Sequence, residues 1–149
     1  SLVYVSGYSE PMGHIKGDQL IHGIHALRLG ADGRLRPANN SVARQVRLTG
    51  TISLALIFSY KSEKSSCAGL PNPSLLSSDP RGRFLFAIHE IDDGAVSAFQ
   101  VDPATGGLRF LNRVAAHGSA PCHCCVDASG SYPLRRMSLS LFCLAAELI

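Results

Sequence analysis

The stretch from Asn72 to Leu85, NPSLLSSDPRGRFL, returns from Ala120 to Leu134 as APCHCCVDASGSYPL. Pro73 aligns with Pro121, Asp79 with Asp127, Gly82 with Gly130 and Phe84 with Tyr132, a constant offset of 48 residues. A unit of that length, cut by several turn signals, has the size of a four-stranded propeller blade. Blades bury their faces only against other blades, so the repeat restricts the chain to a stack of small sheets and implies further blades beyond it.

The best-formed unit runs from Pro73 to Val114. Asp, Pro and Gly punctuation (DPRGR, DDG, DPATGG) divides it into four strands: Ser74 to Ser77, Phe84 to His89, Ala95 to Val101 and Leu108 to Val114. The run FLFAI is apolar at every position, which predicts a strand covered on both faces. An earlier partial copy places strands at Leu2 to Tyr8, Gly23 to Leu29 and from Leu35 onward, with the turn GADG standing where DPATGG stands later. Helical periodicity is weak, and the expected class is all-β, a partial β-propeller of about two four-stranded antiparallel blades.

The register fails twice. From Leu35 to Pro73 the first copy is about 25 residues longer than the second is from Leu108 to Pro121. Removing residues 44–67 restores the blade-to-blade length. After Tyr132 the sequence PLRRMSLSLFCLAAELI replaces the apolar strand that follows the same turn at Phe84, and its pattern is that of a weakly amphipathic helix. The expected organisation is therefore a partial first blade over 1–43 and an insertion over 44–67. The second blade and the start of a third follow over 68–132, with an aberrant tail over 133–149. A translated intron accounts for the insertion and a frameshifted or wrongly spliced end for the tail; a surface loop and a terminal helix are the alternative.

Composition excludes several classes. The net charge of +3 is spread over scattered Lys and Arg, which argues against nucleic acid as partner. The apolar runs at Ile52 to Phe58 and Leu139 to Ile149 fall short of the roughly 20 residues that cross a bilayer, and no signal peptide opens the chain. Five cysteines, three of them crowded at Cys122, Cys124 and Cys125, fit a reducing, cytoplasmic setting better than a disulfide framework. The cluster Cys122, His123, Cys124 and Cys125 has the atoms of a zinc site, but neighbours on a strand point to opposite faces and no second Cys pair completes a tetrahedron. No metal and no cofactor is expected.

The segments VYVSGYSE, GIHALRLGADGRL, PNPSLLSSDPRGRFLFAIHEIDDGAVSAFQVDPATGGLRFLNRV and APCHCCVDASGSY together resemble the seven-bladed β-propeller lactonase family. Its members include propeller-type 6-phosphogluconolactonases and carboxy-muconate cyclases. The resemblance covers residues 2–43 and 68–132. It implies a metal-free hydrolase that opens a small sugar-phosphate lactone in a central funnel, and a ring with blades beyond those present here. Such chemistry needs a base for water, donors for the oxyanion and cations for the phosphate.

By the same resemblance His123 is the candidate base or oxyanion partner, and Glu90, at the end of FLFAIHE, its charge partner or a water-orienting group. Each has a plainer reading. His123 is then a strand-edge histidine, and Glu90 a solvated residue before the turn formers Asp92, Asp93 and Gly94. His89, closing a buried strand, is expected to be structural. Two rival functions remain: a non-catalytic module that binds partners or itself through exposed blade faces, and a muconate-type lactonising enzyme.

Overall fold

The computed structural model describes residues 1–11, 23–38, 46–47, 70–126 and 133–137, and everything described is strand, turn or irregular, with no helix. A four-stranded antiparallel sheet in the order β5-β6-β7-β8 forms the complete blade: β5 Pro73–Ser78, β6 Phe84–His89, β7 Ala95–Val101 and β8 Leu108–Ala115. The other sheets are β1-β2-β3-β4, with β1 Leu2–Ser6, β2 Ile24–Leu29, β3 Arg34–Pro37 and β4 Val46–Arg47, and a pair of β9 Pro121–Val126 with β10 Pro133–Met137.

Turn chemistry sets the strand ends. In DPRGR the Asp79 carboxylate accepts from the backbone N–H groups of Arg83 (2.5 Å), Phe84 (2.8 Å) and Arg81 (3.3 Å) and from Arg83 Nε (3.3 Å). Gly82 closes that turn at φ 66°, a conformation that costs a residue with a Cβ. In DPATGG, Asp102 accepts from Ala104 N (2.9 Å) and Thr105 Oγ1 (2.6 Å).

The apolar strand β6 is buried on both faces, as its composition predicts. Phe86 and Ile88 join Val96, Ala98 and Cys124 in one cluster, while Leu85 and Ala87 join Phe99 and Ile24 in another. Alternate side chains of one strand thus serve two interfaces, one toward β9 and one toward β1 and β2.

Polar contacts reinforce the seam between the first two blades. Arg28 Nη2 donates to Ala104 O (2.7 Å), and Tyr4 Oη donates to Gly106 O (3.1 Å). Gly106 is at φ 75°, and a Cβ there would meet Leu2 and Ala38 across the seam. That glycine permits both the turn and the close approach.

One strand falls inside the stretch read as an insertion, and one feature differs from the sequence expectation. Val46–Arg47, inside the stretch read as an insertion, forms β4 on the far side of β3 through Arg34↔Arg47 and Leu35↔Val46. Pro133–Met137, read as the start of a helical tail, is strand β10 and pairs antiparallel with β9 from Pro133↔Val126 onward. Pairing with an available strand edge overrides a weak helical pattern, and Pro133 stands first in its strand, where a missing N–H costs least. Residues 44–45, 48–67 and 138–149, and the repeat partners Asp127, Gly130 and Tyr132, lie outside the described residues.

Candidate functional site

Three segments meet at one end of the sheets: the chain leaving β1, the chain approaching β5 and the chain leaving β6. Asn72 joins them. Its Oδ1 accepts from the backbone N–H groups of Ser9 (3.1 Å) and Glu10 (2.9 Å), its own N–H donates to Ser9 Oγ (2.9 Å), and its carbonyl accepts from Glu90 N (3.0 Å). Ser9 Oγ in turn donates to Leu70 O (2.8 Å). Asn72 does this at φ 39°, in the left-handed region that asparagine tolerates better than most residues.

Glu90 follows β6 directly and is half-buried. Tyr8 Oη donates to its Oε2 at 2.9 Å across the seam between blades. Burial, then the hydrogen bond to Glu90 and the charges of Glu90 and Cys122, push the Tyr8 phenol up to about 12. It therefore remains a donor throughout the ordinary pH range.

His123 is an exposed residue of β9, level with Arg136 of β10. Cys124 of the same strand is buried against Phe86 and Ile88, so alternation over the regular part of β9 turns Cys124 toward the second blade and His123 and Cys125 away from it. Among the described residues no hydrogen bond joins His123 to Glu90. The carboxylate is paired with Tyr8, and the histidine lies on the other side of β9.

His89 is fully buried. Its Nδ1 lies 2.8 Å from Pro71 O, which can only accept, so Nδ1 carries the proton and Nε2 accepts from Ser97 Oγ at 2.7 Å. Burial, partly opposed by the Pro71 bond and aided by the Arg113 charge, holds this ring below its ordinary pKa and neutral. Cys124 is likewise buried, which with the neighbouring Cys125 pushes its thiol up to about 12 despite a hydrogen bond with Ser77. A protonated thiol is a poor metal ligand, and among the described residues no three His, Cys, Asp or Glu side chains gather to share an ion.

Sequence reasoning missed Tyr8 and Asn72. Asn72 carried a signal, an asparagine between two prolines ahead of a strand, where a left-handed residue is favoured. Tyr8 carried none of its own, because its partner is 82 residues away.

Residues 59–134 match the family described as lactonase, seven-bladed β-propeller. The chain is 35% identical over 74 residues to the 6-phosphogluconolactonase of Bacillus subtilis strain 168, covering 49% of this chain and 21% of that protein. It is 31% identical over 64 residues to the 6-phosphogluconolactonase of Formosa agariphila, covering 41% of this chain and 18% of the relative. The chain spans about a fifth of the length of these curated relatives. A crystal structure from Bacteroides uniformis, provisionally assigned as a 6-phosphogluconolactonase, superposes with a TM-score of 0.58 at 25% identity over 90% of this chain and 29% of that one. The periplasmic gluconolactonase of Pseudomonas aeruginosa shares the fold with a TM-score of 0.57 at 21% identity, over 91% of this chain and 31% of that one.

Proposed function

The chain belongs to the seven-bladed β-propeller lactonase family, and we propose that its blades line part of a funnel in which 6-phosphogluconolactone is hydrolysed to 6-phosphogluconate, the lactone-opening step of the pentose phosphate pathway. The observation that carries the reading is Glu90, a half-buried carboxylate held by Tyr8 where the strand ends of two blades meet.

Lactone hydrolysis adds water to the ring carbonyl, places negative charge on its oxygen and then breaks the ring C–O bond. The ring oxygen takes a proton, and the product carboxylic acid releases one. Glu90 orients the water or supports the base. His123, exposed on β9, serves as base or oxyanion partner. Cations for the phosphate come from other blades of the ring, so the chain alone is expected to turn over little or no substrate. The family match favours this reading over a non-catalytic module. The proposed compartment is the cytoplasm, in keeping with the exposed thiols of Cys122 and Cys125. Self-association through the open side of β9 is the further expectation, which size-exclusion chromatography checks.

To test the reaction, residues 70–126 replace the matching segment of the full-length Bacillus subtilis relative, and acid release from 6-phosphogluconolactone is followed. Retained turnover that falls about 10²-fold or more in Glu90→Gln supports the proposal. A folded graft that opens only unphosphorylated or muconate-type lactones overturns the substrate, and unchanged turnover in Glu90→Gln and His123→Ala overturns the residue roles.

A further inference from the structure

The Tyr8–Glu90 hydrogen bond is fixed from both ends by one residue. Ser9 and Glu10, which follow Tyr8, both donate backbone N–H groups to Asn72 Oδ1, and Glu90 donates its own N–H to the Asn72 carbonyl. The pair's spacing is therefore set by backbone stitched across the seam, not by two side chains finding each other in solvent. Tyr8 occupies Oε2 of the carboxylate. Among the described residues Oε1 has no hydrogen-bond partner.

A carboxylate with one oxygen tied and one open is oriented. Held by its own torsions alone, Glu90 would sample several rotamers, and ordering it would cost binding energy each time a ligand arrived. A phenol that does not ionise is suited to the tie, since it never turns into a second anion beside the first.

We propose that Tyr8 is a positioning residue for Glu90, locking its carboxylate across the blade seam so that Oε1 faces the hydroxyl groups of a sugar-derived lactone or its ring-opened acid. The inference rests on the lactonase reading above and adds to it a residue of the first blade that acts through Glu90.

Cys122 supplies a readout that does not require turnover. Its thiol is exposed, and it is close enough for its charge to be felt at Tyr8. Cys125, also exposed, points away from the second blade and serves as internal reference. The experiment alkylates the full chain with iodoacetamide over a range of 6-phosphogluconate concentrations and reads each cysteine by fragment mass spectrometry.

At ten times Kd, Cys122 is expected to react about tenfold more slowly, with Cys125 unchanged. Tyr8→Phe is expected to raise the Kd of protection about tenfold, the loss of one charge-assisted hydrogen bond. In a Glu90→Ala background the same Tyr8→Phe change is expected to shift Kd less than about twofold, which a merely structural tyrosine would not produce. Thermal unfolding checks that the variants fold. If Tyr8→Phe does not, Glu90→Asp, which withdraws the carboxylate by one methylene, must show the same tenfold loss. Protection with equal Kd in the parent and Tyr8→Phe overturns the role of Tyr8 and leaves the lactonase reading standing. A folded parent chain whose Cys122 is never protected overturns the placement of the ligand at this lip; the lactonase reading is judged separately, by turnover in the graft.

Discussion

Replacing Asp79 with alanine removes the acceptor that organises the DPRGR turn. The carboxylate is fully buried and takes two short backbone bonds, from Arg83 N and Phe84 N, and two longer ones, from Arg81 N and Arg83 Nε. Hydrogen bonds to a charged group are each worth about 1.5–3 kcal/mol. The Arg83 head is half exposed, and the Arg81 and Arg83 amides lie on an exposed turn where water replaces the lost partner, so most of the loss comes from Phe84 N at the start of β6. The expected cost of Asp79→Ala is about 2–4 kcal/mol, and of Asp79→Asn, which retains one acceptor oxygen, about 1–2 kcal/mol. The same bonds predict a pH signature. Burial raises the Asp79 pKa, but the hydrogen bonds from Phe84, Arg83 and Arg81 outweigh it, and the folded value lies below the ordinary one. Between those two values the unfolded chain binds more protons, so the contribution is complete above pH ~4 and is lost as pH falls through the folded value. Asp32, lowered to about 2 by Arg36 and Arg34, and Asp102, lowered by Thr105 and Ala104, act in the same window, so the measurement is the difference between parent and Asp79→Asn. The assay is urea unfolding followed by far-UV circular dichroism from pH 7 to pH 2.5. A loss below about 0.5 kcal/mol for Asp79→Ala at pH 7, or an Asp79→Asn acid profile parallel to the parent's, refutes the reasoning.

Four further outcomes are expected. His89 is held neutral below its ordinary pKa, so its contribution is complete above pH ~6.5 and is lost as pH falls through the folded value; thermal melts from pH 7.5 to 5 should be flatter in His89→Gln than in the parent. Ala120 sits at φ 46°, and Ala120→Gly should raise stability by up to about 1 kcal/mol in denaturant titration, relief of left-handed strain exceeding glycine's unfolded-state entropy. A Cβ on Gly94 would run into Pro121 and the Gly118 carbonyl, so Gly94→Ala should cost about 1–3 kcal/mol and lower the melting temperature. For the stretch 44–67 we propose a translated intron; transcript reads should join residue 43 to residue 68, and abundant uninterrupted reads would refute this.

The second blade was legible because its boundaries are local. DPRGR, DDG and DPATGG each fix a turn from neighbouring residues, and the strands predicted from Phe84 to His89 and Ala95 to Val101 are β6 and β7 with the same bounds. The two-faced burial of β6 was equally open to reading, because FLFAI carries no polar position to turn outward. What escaped depends on partners far along the chain. The Tyr8 bond and the Asn72 hub span 82 and 63 residues, and the pairing of β10 needs the edge of β9. The side taken by His123 follows from which of the crowded cysteines is drawn into the core; Cys124 is, and an unbroken polar and sulfur run does not announce that choice.

The seam between the first two blades also sets how freely the link between them can grow. Arg28 to Ala104, Tyr4 to Gly106, Tyr8 to Glu90 and Ser9 to Asn72 fasten the sheets at several points along their length, and the cluster around Ile24 and Phe99 fills the space between. None of these contacts uses the residues that connect Pro37 to Leu70. Lengthening a tether that bears no part of these contacts costs them only closure entropy, about 0.6 kcal/mol per doubling, on the order of 1–2 kcal/mol for a fourfold longer link. The joint tolerates additions in its tether that the same number of residues placed within DPRGR or DDG would turn into loss of the blade.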